Sequence, residues 1–300
     1  MHLLITGGTG FIGRSLCRRL LERGHRLTVL SRQAPDTVRR LCGETVMPVA
    51  AIDSLSPQAG FDAVVNLAGE PIADKRWTEA RKRLLWESRV GLTTALVDYI
   101  ARAESKPPVL ISGSAVGYYG NRGDTLLDEE SAHGDGFGHR LCAAWEEAAS
   151  RAAGHGVRVC MLRTGLVVGR NGGFLQRMLP LFRLGLGGRI GEGRQWMSWI
   201  HLDDHIAITE YLIEDAHLEG AFNATAPNPV TNREFTECLA RLLNRPAPLP
   251  VPACTLRLAL GETAELLLGG QRVIPKRLQQ EPFRFRYEHL ENALRDALGR

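Results

Sequence analysis

Short apolar runs alternate with longer amphipathic stretches along the first half of the chain. The runs are HLLIT (2–6), RLTVL (26–30), AVVNLA (63–68), PVLISG (108–113) and VRVCMLRTG (157–165). Their length and their continuous apolar character are typical of strands buried on both faces of a parallel sheet. Between the runs, the pattern predicts helices near residues 11–23, 77–104 and 137–153. The alternation predicts an α/β fold with a doubly wound parallel sheet.

The pattern changes after about residue 170. The glycine-rich segments GRNGGF and LGLGGRIGEGRQW predict loops or turns. GAFNATAP (220–227) predicts one more strand, and a helix follows in which Thr231 is the N-cap and Glu234 closes a capping box. We therefore expect a sheet domain over residues 1–170, to which a strand near 220–225 returns. The remainder, 171–300, is expected to form a smaller C-terminal lobe that ends in a helical tail over 250–300.

Composition narrows the classes of protein that fit this pattern. The 37 basic and 33 acidic residues leave a net charge of +4, and no long basic run argues for a nucleic-acid or membrane-surface partner. No run of about 18 apolar residues predicts a membrane span. Because the first strand is predicted to begin at residue 2, we expect no signal peptide. Six cysteines without a CxxC pair indicate a reducing compartment and no metal site, so we expect a cytoplasmic protein.

Three glycines spaced three residues apart, Gly7, Gly10 and Gly13, follow the first strand in the segment GGTGFIG. Gly7 permits a tight turn, Gly10 allows a diphosphate to approach the backbone, and Gly13 lets the helix pack close to the strand. The N–H groups around Phe11 and Ile12 have no intrahelical partner, and with the helix dipole they attract phosphate. The spacing predicts a dinucleotide-binding domain of the Rossmann type. The predicted loop contacts are Gly7, Thr9, Gly10, Phe11, Ile12 and Gly13.

The end of the second strand indicates which dinucleotide is bound. A carboxylate there would bind the ribose hydroxyls of NAD, but this strand ends in VLSRQ, with Ser31 and Arg32 in that place. A guanidinium can donate two hydrogen bonds to a phosphate. The sequence therefore predicts NADP(H), with its 2′-phosphate on Ser31 and Arg32. The alternative is that Arg32 is an ordinary solvated loop arginine.

Several further segments resemble a known family. TGGTGFIG, NLAG (66–69), SGSAVGYYG (112–120), LRTGLVVGR (162–170) and WIHLDDH (199–205) are similar, in order and spacing, to the extended short-chain dehydrogenases. FRLGLGG, NATAPNPVTN and GQRVIPKRL resemble more closely an atypical subfamily known as epimerase-family proteins, with a small C-terminal domain. The resemblance covers most of the chain and implies an oxidoreductase or epimerase-like activity.

The resemblance also implies roles for individual residues. Ser114 stands in the place of the family's catalytic serine, and His201 is expected to be a structural hydrogen-bonding group. The implied additional cofactor contacts are Leu67, Ala68, Gly69, Arg89, Ser112 and Val167. The implied substrate is a small molecule, such as a carbonyl compound or a sugar nucleotide, which Arg183, Arg189, Arg194 and Gln195 could meet. Family members often dimerise, which suggests a homodimer.

The family's Tyr-x-x-x-Lys pair is missing from this sequence. In that pair the tyrosine transfers a proton and the lysine lowers its pKa. The corresponding helix reads GFGHRLCAAWEEAA and contains neither residue type. The tyrosine position is Phe137 or Gly138, and the lysine position is Leu141 or Cys142.

Candidate substitutes for the missing pair are Tyr118 and Tyr119, which follow Ser114 closely, and His139 and Arg140 on the altered helix. The alternative is that the tyrosines only line the pocket and that the histidine is solvated. On the altered helix, Trp145 is interpreted as a packing residue and Glu146 as its exposed neighbour. Two hypotheses stay open at this point. The protein is an NADP(H)-dependent enzyme with a non-standard proton donor, or it binds NADP(H) as a regulatory or sensor protein without turnover.

Overall fold

In the computed structural model, strands and helices alternate over residues 1–300. The strands are β1 His2–Thr6, β2 Arg26–Leu30, β3 Met47–Val49, β4 Ala63–Asn66, β5 Val109–Ala115, β6 Leu126–Leu127, β7 Arg158–Thr164, β8 Leu166–Val168, β9 Trp196–Met197, β10 Trp199–His201, β11 Gly220–Ala224, β12 Val230–Thr231 and β13 Arg272–Val273. The helices are α1 Phe11–Glu22, α2 Pro35–Cys42, α3 Glu79–Trp86, α4 Leu92–Arg102, α5 Gly136–Ser150, α6 Gly173–Arg183, α7 Leu202–Glu214, α8 Asn232–Leu243, α9 Ala253–Leu260, α10 Glu265–Leu268, α11 Lys276–Gln280 and α12 Leu290–Ala297.

The main sheet has seven strands in the order β11-β7-β5-β4-β1-β2-β3. All of its strand pairs are parallel. Side chains of β1 alternate between two cores, with Leu3 and Ile5 facing one layer of helices and Leu4 facing the other. The predicted doubly wound, Rossmann-type α/β fold is confirmed.

The element bounds differ from the sequence prediction in two ways. The predicted helix over 77–104 is continuous from Glu79 to Arg102, but its hydrogen bonding widens to a π-helical turn at Glu87–Gly91, between α3 and α4. The sequence pattern also missed α2, β3, α6 and α7. Helix α2 has eight residues and β3 has three, so neither is long enough to show a clear hydrophobic period.

Later segments divide between the sheet and a second core. Strand β11 pairs with β7 at the edge of the sheet, and Thr231 and Glu234 form the capping box at the start of α8. A separate apolar cluster joins α6, α8 and α12 around the buried ring of Trp199, which gives the smaller C-terminal lobe. The division of the chain at residue 170 stays a prediction. None of the helices combines the length and the apolar character that crossing a membrane requires.

The strand order places a crevice beside β1. Strands β2 and β4 flank β1 on opposite sides, with Leu30 and Asn66 both level with Thr6. In open parallel sheets, ligands bind outside the carboxyl ends of the strands where the strand order reverses. The site described next lies at these carboxyl ends.

Candidate cofactor and active site

The loop between β1 and α1 has the geometry of an anion cradle. Gly7 has a φ of +69°, and an added Cβ there would lie 2.6 Å from the backbone of Leu67. An added Cβ on Gly13 would overlap the carbonyl oxygen of Gly7, whereas one on Gly10 would meet only that oxygen, at 3.2 Å. Helix α1 has no side-chain cap and no acidic residue in its first turn. Its free N–H groups therefore fit a diphosphate.

Phe11 and Arg14 attach this loop to the turn that follows β8. Added Cβ atoms on Gly169, Gly172 and Gly173 would all contact the ring of Phe11 too closely. Arg14 donates a hydrogen bond to the carbonyl of Asn171 in the same turn, at 2.6 Å. Phe11 therefore packs against that turn. Thr9 and Ile12 are half-buried beside it.

Arg32 lies at the carboxyl end of β2 and is paired with an acid that the sequence interpretation did not single out. Its Nη2 is 2.8 Å from Glu70 Oε1, and its side chain is 83% exposed. The hydroxyl of Ser31 accepts a hydrogen bond from the backbone of Gln33 at 3.2 Å. Arg32 is therefore exposed but has a carboxylate partner, and its role toward a 2′-phosphate stays a prediction.

The segment after β4 forms the opposite wall of the crevice. Leu67 and Ala68 are half-buried and Gly69 is exposed. Arg89 donates to the carbonyl of Glu70 at 2.9 Å, and its guanidinium lies so close to Gly69 that an added Cβ would be 2.8 Å from Cζ. Burial lowers the pKa of Arg89. Val167 is half-buried in β8, where it pairs with Ile200 of β10.

Ser112 and Ser114 lie on β5 in different surroundings. Ser112 is fully buried and accepts a long hydrogen bond, 3.5 Å, from Asn66. The amide of Asn66 also donates to Thr93 at 2.7 Å. Ser112 thus belongs to a polar network beneath the strand ends, and its predicted contact with the cofactor stays a prediction.

Ser114 donates to a buried ion pair. Its hydroxyl is 2.6 Å from Glu146 Oε1, and Arg163 holds both oxygens of Glu146 at 2.9 and 2.8 Å. Burial would lower the pKa of Arg163, but the hydrogen bonds to Glu146 raise it overall. The interpretation of Glu146 as an exposed residue is wrong. It lies one helical turn from Cys142 and Ala149, which are both buried, and this spacing was a readable signal.

The two candidate tyrosines are arranged differently. Tyr119 is fully buried, donates to Asn223 at 2.7 Å and accepts from Arg163 at 3.0 Å. Burial raises the pKa of Tyr119 to about 12, which does not suit a proton donor near neutral pH. Tyr118 is half-buried, and Arg163 Cζ lies 3.6 Å from its ring centroid.

In one of the two registers predicted for the Tyr-x-x-x-Lys pair, both positions are apolar and buried. Phe137 and Leu141 are buried with Trp77 and Leu85. The rings of Trp77 and Phe137 meet edge to face at 5.0 Å between centroids. The backbone N–H of Trp77 donates a hydrogen bond to the hydroxyl of Thr263 at 2.8 Å. A lysine at position 141 would therefore lie among hydrocarbon groups. As predicted, Trp145 is a buried packing residue.

His201 has the structural role expected of it, because its Nδ1 accepts the N–H of Asp203 and caps α7. A cavity of about 330 Å³ borders part of the segment that carries the residues expected to meet a substrate. Arg194 and Gln195 line that cavity together with Asp124, Trp196 and Arg257, whereas Arg183 and Arg189 do not. The nearby carboxylate of Glu192 pairs with Arg194 at 3.1 Å. The arrangement offers both charges to a polar ligand.

Comparisons with known proteins agree with this geometry. Residues 3–224 match the model of the NAD dependent epimerase/dehydratase family, and residues 251–297 match a domain of unknown function, DUF1731. The chain is 42% identical over 296 residues to the epimerase family protein Mb2239 of Mycobacterium bovis, covering 98% of this chain and 95% of that protein.

Two solved structures are similar over the whole chain. The human epimerase family protein SDR39U1, solved with NADPH, superimposes with a TM-score of 0.90 at 36% identity, covering 100% of this chain and 99% of that one. A nucleoside-diphosphate sugar epimerase from Corynebacterium glutamicum gives 0.79 at 33% identity, and the match spans 100% of this chain but 58% of that protein.

Proposed function

Because this chain belongs to the NAD-dependent epimerase/dehydratase family, we propose that it binds NADP(H) and acts on a small molecule as an oxidoreductase or epimerase-like enzyme. The observation that carries the proposal is the uncapped start of α1, with Arg32 at the end of the neighbouring strand. A positive helix terminus and a nearby guanidinium suit the two phosphate-bearing parts of NADP(H). The human relative that was solved with NADPH supports the same cofactor.

The cofactor-binding residues follow from this proposal. The backbone between Gly7 and Gly13 holds the diphosphate, and Ser31 and Arg32 hold the 2′-phosphate. Leu67, Ala68 and Gly69 line the adenosine ribose. Arg89 and Val167 border the far side of the crevice. When bound, NADP(H) supplies the hydride donor or acceptor.

Ser114 is the side chain that we assign to the substrate. Its hydrogen is donated to Glu146, so its lone pairs are left to accept a hydrogen bond. A substrate hydroxyl or amide can supply the donor. Glu146 and Arg163 act through Ser114 and are positioning residues.

A second function, binding NADP(H) without turnover, is favoured by two observations. In one of the two predicted registers, the positions of the usual acid–base pair are Phe137 and Leu141, which lie in a buried apolar cluster. The hydroxyl of Tyr119 is also occupied, by Asn223 and Arg163. In that case the protein reports the NADP(H) level through binding alone.

Turnover and NADPH binding are the two measurements that test the proposal. The protein is mixed with NADPH and a panel of carbonyl compounds and sugar nucleotides, and the nicotinamide absorbance is followed. Loss of this absorbance, NADP⁺ reduction by the matching alcohols, or conversion of a sugar nucleotide into its epimer in the presence of the cofactor supports the enzyme. Tight NADPH binding without any of the three supports the second function. Failure to bind NADPH would refute both.

The cofactor assignment is tested by Arg32→Asp. Because this variant removes a hydrogen bond between charged groups, we expect NADPH affinity to fall about tenfold or more. The affinity for NADH should change little. Arg40→Asp, an equal charge reversal at an exposed position of α2, is the matched control. Equal losses for both cofactors with Arg32→Asp would contradict the 2′-phosphate assignment.

A further inference from the structure

The Arg32–Glu70 ion pair spans the crevice that the adenosine half of a dinucleotide would enter. Arg32 follows β2 and Glu70 follows β4, and both strands flank β1. Strand spacing of about 4.8 Å sets the ends of β2 and β4 roughly 10 Å apart. The 2.8 Å contact between the two side chains therefore crosses the carboxyl end of β1, where the glycine loop begins.

The two partners of this pair differ in how firmly they are held. Glu70 is the fixed one. Its backbone N–H donates to the hydroxyl of Ser88 at 3.1 Å, Arg89 donates to its carbonyl, and its Oε2 lies 3.4 Å from the buried guanidinium of Arg81. Arg32 is exposed, and Glu70 is its one acidic partner.

The charge of Glu70 is maintained by this arrangement. Its hydrogen bond from Arg32, followed by that from Arg81, holds the pKa of Glu70 below its usual value. At neutral pH the carboxylate is therefore an anion that already occupies the guanidinium expected to receive the 2′-phosphate. Two anions cannot share one edge of a guanidinium without repulsion.

We infer that Glu70 is a specificity-determining residue that competes with the 2′-phosphate of NADP(H) for Arg32. This inference rests on the proposed function. Binding of NADP(H) exchanges the carboxylate for the phosphate on Arg32, and Glu70 therefore lowers the affinity for NADP(H). A ribose without the phosphate offers hydroxyl donors that the carboxylate can accept, so Glu70 does not oppose NAD(H). Glu70 therefore reduces the difference between the NADP(H) and NAD(H) affinities that Arg32 establishes.

Glu70→Gln tests the inference, because it removes the charge and keeps the shape. Dissociation constants for NADPH and NADH are measured by nicotinamide fluorescence on the full chain. We expect NADPH to bind about threefold to tenfold more tightly in this variant, and NADH affinity to stay within about twofold. Asp36→Asn is the matched control, because Asp36 is an exposed acid paired with Arg39 on the adjacent α2. It should leave both constants unchanged.

A double variant guards against an indirect effect through Arg81. In the Arg32→Ala background, the tightening caused by Glu70→Gln should disappear, because no guanidinium remains to be released. The inference is overturned if Glu70→Gln weakens NADPH or leaves it unchanged, if NADH tightens equally, or if the gain persists without Arg32. A wild-type protein that binds neither dinucleotide overturns the proposed function as well. One that binds NADPH, without the Glu70 effect, overturns this inference alone.

Discussion

The two halves of the crevice are encoded by the sequence in different ways. The phosphate half is built from backbone: three glycines, a free helix terminus and a turn whose geometry excludes Cβ atoms. The half around α5 is built from side chains that come from distant segments, since Ser114, Glu146 and Arg163 meet across β5, α5 and β7. A backbone site is visible as spacing within one segment, whereas a side-chain site depends on which segments fold against each other.

The buried ion pair should be the most sensitive feature of the α5 half. Glu146→Ala leaves Arg163 charged, buried and without its carboxylate. Breaking a buried pair in this way costs about 3–5 kcal/mol of unfolding free energy. Urea denaturation followed by circular dichroism measures the loss.

The adjacent acid provides the control. Glu147 is exposed and pairs with Arg151 one turn along the helix. Glu147→Ala should change the unfolding free energy by no more than about 0.5 kcal/mol. Similar losses for Glu146→Ala and Glu147→Ala would show that the pair with Arg163 does not stabilise this half.

The same contrast explains what could be predicted from the sequence. The strands of the sheet and the glycine loop follow local rules, and the fold was predicted correctly. Glu146 was misassigned because its partner lies 17 residues away on another element, although its spacing from Cys142 and Ala149 placed it on the buried face. Glu70 was overlooked because its partner, Arg32, follows a strand that is two positions away in the sheet. Only the strand order brings them together.

The two halves of the crevice should also differ in how acid changes their stability. The group concerned packs against β7, the strand that carries Arg163. His205 is fully buried behind β7, where its Nε2 lies 3.1 Å from the hydroxyl of Thr164. Burial lowers its pKa from 6.5 to about 4, so the unfolded chain binds a proton more readily than the folded one. Stability is therefore lost as pH falls from about 6.5 towards 4. Between pH 7 and pH 5 the loss attributable to this group is about 2 kcal/mol.

The measurement is the pH dependence of the unfolding free energy in the wild type and in His205→Gln. Other buried groups titrate too, because burial lowers the pKa of His201 and raises the pKa of Glu129 and Asp204. The difference between the two proteins isolates His205. We expect the variant to lose about 2 kcal/mol less between pH 7 and pH 5. Parallel curves would contradict this. The loop from Gly7 to Gly13 contains no titratable side chain, so it contributes nothing directly to this slope.

A pair of glycine substitutions separates the two halves most directly. Gly13→Ala places a methyl group against the carbonyl oxygen of Gly7, so the loop must move away from α1. We expect NADPH affinity to fall about tenfold or more, because that loop forms the proposed diphosphate site. Gly138→Ala adds the same methyl group to α5, where no atom other than its chain neighbours and the backbone of its own helix lies within 4 Å of it. There the expected effects are unchanged NADPH affinity and a gain of about 0.5–1 kcal/mol in unfolding free energy, because alanine restricts the unfolded chain and favours the helix.

NADPH titration and urea denaturation of both variants measure the two effects. Equal NADPH affinity in the two variants would mean that the close fit between Gly7 and Gly13 does not shape the cofactor site.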